Sequence, residues 1–77
     1  MNNKKVLESL KELKLKFPLD FEGRIKARNA IVLLSLKGVD FGINDWELSV
    51  RGVYSRELMA LILKENEKKE VLKNGKQ

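Results

Sequence analysis

Three carboxylates, Asp40, Asp45 and Glu47, form the closest group of side chains here that could do chemistry, and residues 39–50 around them hold no cation. A carboxylate pair performs general acid and base work when burial lifts one pKa towards neutrality. These three stand among Gly42, Asn44 and Ser49 with nothing to bury them, so they read as a solvated loop. Their oxygens could bind a hard cation, but the Asp-x-Asp-x-Asp-Gly spacing of a calcium loop is missing. The sequence has no histidine and no cysteine. That removes the usual general base, the imidazole and thiolate ligands, disulfides and the physiological pH switch together. Gly23, Gly38, Gly42 and Gly52 are scattered and make no phosphate loop. The expectation is a binding protein rather than an enzyme, with no cofactor, no metal and no small-molecule substrate.

The net charge of +5 is unevenly laid out. Residues 1–19 carry +3, residues 20–38 carry +2, residues 39–50 carry −3 and residues 51–77 carry +3. A basic body with one acidic loop points to a polyanionic partner, and a merely solvated cationic surface fits the same layout. Arg24, Lys26 and Arg28 would stand on the exposed first half of a helix, Arg51 and Arg56 on either side of Gly52, and Lys64 farther along. These six are the candidate nucleic-acid contacts. They would meet the phosphates of double-stranded DNA while the helix after Gly52 enters the major groove. Such binding would be phosphate-driven and fall steeply with salt.

Positioning these residues falls to three helices and one short β element. Val6, Leu7, Leu10 and Leu13 recur at helical spacing and predict a first helix over residues 4–16, capped by Asn3 and ended by Pro18. Asp20 caps a second helix from Phe21 to Lys37, which Gly38 terminates. Its run Ala30-Ile31-Val32-Leu33-Leu34-Ser35-Leu36 is the most apolar in the chain and is expected in the middle of the fold. Residues 39–43 and 46–51 then alternate apolar and polar side chains. The second run is the better strand, Asn44-Asp45 could close a hairpin between the two, and Gly52 ends it. Ser55 caps the third helix, with Glu57 in its first turn. The fold expected is mainly α (α+β): three helices with one short strand or β-hairpin between the second and third. It is one small domain over residues 1–77. The compact core spans about residues 4–63, and residues 64–77 form a charged helical extension or frayed tail.

A second kind of partner competes with nucleic acid. The third helix carries Leu58, Met59, Leu61, Ile62 and Leu63, broader than one buried stripe needs, and Val71-Leu72 extends it. Leu58, Met59, Ile62, Leu63, Val71 and Leu72 are therefore candidates for a protein interface, with a homodimer or another protein as partner. Trp46 and Tyr54 are anchor candidates that also suit the core. No membrane partner is expected. The N-terminus lacks the apolar stretch of a secretory signal, which points to the cytoplasm.

The order helix, helix, short strand, Gly turn, helix resembles the front half of a winged-helix module. Gly23-Arg24-Ile25-Lys26, Phe41-Gly42 and the stretch from Trp46-Glu47-Leu48 through Gly52-Val53-Tyr54-Ser55-Arg56-Glu57-Leu58 resemble the Panacea (SocA-like) domains and related uncharacterised archaeal proteins. The resemblance covers residues 22–63, with Val53 where that group prefers proline and Ala27-Arg28-Asn29 where it has Leu-Gln-Lys. It implies a helix-turn-helix-related, truncated winged-helix-like fold. The implied function is a DNA-linked regulator or, alternatively, an adaptor or antitoxin-like protein.

Overall fold

The computed structural model describes residues 1–50 and 52–74, with side chains through residue 70. Its elements follow in the order α1 (Asn3–Glu12), α2 (Phe21–Leu36), β1 (Trp46–Ser49), β2 (Gly52–Ser55) and α3 (Arg56–Asn74). This is a mixed α+β, winged-helix-like arrangement, with an antiparallel hairpin between α2 and α3.

Each helix starts where a short polar side chain can take an orphan N–H. Asn2 caps α1, its Oδ1 accepting from the Lys5 N–H at 3.1 Å, one residue before the position expected. Asp20 caps α2 through the Gly23 N–H at 2.6 Å, and Ser55 caps α3 through the Leu58 N–H at 3.1 Å. The ends of α1 and α2 are both Schellman turns. At the end of α2, Gly38 adopts φ +104° while Val39 N–H reaches back to Leu34 O at 3.0 Å. At the end of α1 the left-handed position falls on Lys14, with φ +63°, and Leu15 N–H bonds Leu10 O at 3.0 Å. The helix expected to reach Lys16 therefore stops at Glu12. Breaking it there turns Leu15 and Phe17 onto the core, where both are partly buried.

The hairpin is displaced from where alternation placed it. The run beginning at Trp46 folds back on itself, pairing Trp46 with Ser55, Glu47 with Tyr54, Leu48 with Val53 and Ser49 with Gly52. Gly52 opens β2 rather than ending a strand, with φ +107°. Residues 39–43 do not pair as a strand. The Gly42 N–H is taken by Asp40 Oδ1 at 2.8 Å and Phe41 O by the Asn2 N–H at 2.7 Å. That irregular stretch drives Phe41 into the centre.

The core joins Val6 and Leu10 of α1, Ala27 and Ile31 of α2, and Leu58, Leu61 and Ile62 of α3, with Leu19 and Phe41 from the connections. The apolar run of α2 is not its middle. Ile31 is buried, but Leu33 is 53 % and Leu36 80 % exposed. A helix turns about 100° per residue, so a run apolar all round can bury only one stripe against neighbours on one side. Ala27, Ile31 and Leu34 form that stripe; Leu33 and Leu36 lie opposite. The charged stretch after Leu63 does not fray within the described residues. It continues α3 to Asn74, and Asn66 within it is buried.

Candidate nucleic-acid interface

The sequence-predicted cations divide among different faces. Arg24 and Arg28, one turn apart on α2, come together with Phe21, Ile25 and Met59 along a groove of about 500 Å³. The Arg24 guanidinium donates to Leu19 O at 3.2 Å and lies 5.9 Å from the centre of the Phe21 ring. Arg28 donates to Asn29 Oδ1 from Nη2 at 3.2 Å and from Nε at 3.4 Å. A side chain on Gly52 would come within 3.8 Å of the Arg28 Nη2, so the hairpin stands directly beside this turn of α2. Lys26 is exposed with Asn29 on the outer face of α2.

Arg56 is exposed on α3, held by the Tyr54 hydroxyl and by Glu47 and Asp45, which push its pKa up. Lys64 lies with Met1, Asn3 and Glu57 along the flank of α3 that faces the start of α1. On the helical wheel it is about 140° from Met59, so it belongs to a different surface from Arg24 and Arg28. Arg51 lies outside the described residues.

The three acidic residues have separate tasks. Asp40 closes the turn at Gly42, while its backbone oxygen accepts from the Lys5 ammonium at 2.8 Å. Asp45, expected in a hairpin turn, instead sits over the start of α3. Its Oδ1 accepts from the buried Ser55 hydroxyl and its Oδ2 from the Glu57 N–H at 3.0 Å. The Ser55 hydrogen bond, with help from those backbone donors, holds its pKa below the ordinary aspartate range. Glu47 lies by Arg56. Among the described residues no three acidic side chains converge as a metal site would require.

The protein-interface candidates fare differently. Leu58 and Ile62 are wholly buried in the core and present nothing to a partner. Met59 is half-buried beside Arg24 and Arg28, and Leu63 is half-exposed. The side chains of Val71 and Leu72 lie outside the described residues. The apolar face of α3 is consumed because Leu58, Leu61 and Ile62 share one buried cluster with Val6 and Leu10 of α1, Ala27 and Ile31 of α2, and Phe41. Exposed apolar surface gathers instead at the end of α2 and at Leu48 and Val50 of the hairpin.

Asn66 is the polar residue that sequence reasoning missed. It is 6 % exposed, accepts the Leu19 N–H at 2.7 Å and donates to Leu19 O at 2.9 Å. A signal was present: Leu58, Ile62 and Asn66 continue one stripe at four-residue spacing, and Asn66 is an uncharged side chain amid Lys and Glu.

No known family matches this chain, and no curated protein or solved structure matches it. Among the described residues no helix is long and apolar enough to cross a membrane.

Proposed function

We propose that this protein binds double-stranded DNA, laying the first half of α2 against the duplex with the hairpin beside it as a wing, as a small DNA-linked regulator. The observation that carries this reading is the placement of Arg24 and Arg28 one turn apart on α2, next to the hairpin, with Lys26 and Asn29 on the adjoining outer face. The arginines and Lys26 serve phosphates, and Asn29 is the side chain suited to a base edge. The start of α3, which the sequence pattern suggests for the major groove, is a poor candidate. Asp45 already occupies its N-terminus, and Glu57 and Glu47 lie close by. Phosphates would meet like charge there.

The test is an anisotropy titration of the full chain onto a labelled mixed-sequence duplex at 50 and 200 mM salt. Three phosphate contacts give a slope of about −2.7 in log K against log salt, so affinity should fall about 40-fold across that range. Charge reversal at Arg24 or Lys26 should weaken binding and flatten the slope by about one, whereas reversal at Lys64 should leave both unchanged. Absence of binding at 50 mM salt ends this reading. The alternative, an adaptor or antitoxin-like protein that binds another protein or its own copy, is favoured by Leu33, Leu36, Leu48 and Val50 standing exposed, rather than by the face of α3.

A further inference from the structure

We infer that the cleft between α1 and the second half of α3 is a docking groove for an acidic amphipathic helix of a partner protein. The cleft has a volume of about 590 Å³ and involves none of the residues of the arginine groove. Its floor is apolar, built from Leu7 of α1 and from Leu15 and Phe17 of the α1–α2 connection. Its rim is cationic on both sides. Lys11, Lys14 and Lys16 line one wall and Lys69 the other, against a single carboxylate, Glu65.

An apolar floor between two cationic walls has one natural complement. It is a helix with an apolar stripe facing down and carboxylates along both edges of that stripe. Phosphodiester chains would leave the floor unused, and they are better served by the forked guanidinium of arginine than by four separate ammonium groups. Leu7–Lys11 and Glu65–Lys69 each span one helical turn on opposite walls, so the groove engages about one turn of its occupant.

A second observation points the same way. Lys14 is the one residue other than glycine with a positive φ among those described, at +63°. Glycine or asparagine would fill that turn with less strain. A lysine held there places a fourth ammonium on the rim.

The probe is a labelled peptide of two heptads with leucine at a and d and glutamate at e and g, titrated with the full chain at 50 mM salt. Saturable binding is expected, weakened about fivefold by Lys11→Glu with Lys69→Glu, the loss of two exposed ion pairs. A peptide with the leucines changed to serine should not bind. Charge reversal at Arg24 should leave peptide binding unchanged, which separates this groove from the DNA surface. Equal binding by the lysine variant overturns the proposal, as does equal binding of the leucine-free peptide. Tighter lysine-dependent binding to a labelled duplex or to phosphatidylserine vesicles than to the peptide also overturns it, assigning the cleft to nucleic acid or lipid.

Discussion

Asn66 offers the sharpest test of how the α1–α2 connection is held. Its side chain makes both available backbone bonds to Leu19, at 2.7 and 2.9 Å, across 47 residues of sequence, and both residues are buried. In Asn66→Ala the Leu19 N–H loses its partner inside the protein, at a cost of about 1–3 kcal/mol. Leu19 O keeps the Arg24 guanidinium at 3.2 Å, so its loss adds only about 0.5–1.5 kcal/mol. The sum is about 1.5–4.5 kcal/mol, against a total stability of about 4–12 kcal/mol for a domain this size. The thermal midpoint should drop by about 10–25 °C. Urea and thermal unfolding followed by far-UV circular dichroism measure both. Asn66→Leu restores the volume without the bonds, so it should recover at most about 2 kcal/mol while the Leu19 N–H stays unpaired. Alanine costing less than about 0.5 kcal/mol, or leucine as stable as the parent, would refute the hydrogen-bond account in favour of packing alone.

Two further outcomes follow from the turns and caps. Lys14→Gly should stabilise the fold by up to about 1 kcal/mol, because the strain of a left-handed residue exceeds the extra chain entropy of glycine. Lys14→Val should destabilise it, with the difference read from urea midpoints. The Asp45 carboxyl has its pKa lowered on folding by the Ser55 hydroxyl and the N–H groups at the start of α3. Its contribution is therefore present above the unfolded aspartate value of about 3.9 and is lost as pH falls through the lower folded value. Asp45→Asn should flatten the acid limb of stability below about pH 4. An unchanged limb would show that the cap does not couple to folding.

What was legible in the sequence is what a few neighbouring residues decide among themselves. Asp20 and Ser55 cap because a short acceptor three residues before an N–H is a local geometry, and Gly38 ends α2 for an equally local reason. Asp45 shows the limit. An aspartate before Trp46 suits a tight turn and a helix cap alike. The choice was made by Ser55, ten residues away, which the hairpin brings beneath it. The exposure of Leu36 was illegible for another reason: apolarity without a period does not say which side neighbours will cover. In the candidate site, the i, i+4 spacing of Arg24 and Arg28 could be read directly. The separation of Lys64 onto another flank depends on how α3 packs, which no local pattern states.

Leu19 stands between the two grooves. Its carbonyl accepts from Arg24 and from Asn66 together, so the same atom anchors an arginine of the proposed DNA surface and clamps the connection to α3. Residues 15–17, just before it, form the floor and part of the rim of the lysine cleft, while Phe21, just after it, lines the arginine groove. On α3, Met59 of one groove and Asn66 of the clamp are about 10 Å apart along the axis, and Glu65 of the other cleft is the clamp's neighbour. An Arg24 drawn outward to a phosphate would leave Leu19 O to Asn66 alone, which is enough to keep that carbonyl satisfied. A neutral amide with both a donor and an acceptor satisfies both backbone groups of Leu19 where alanine or leucine would not, and it does so from within the most charged stretch of the chain.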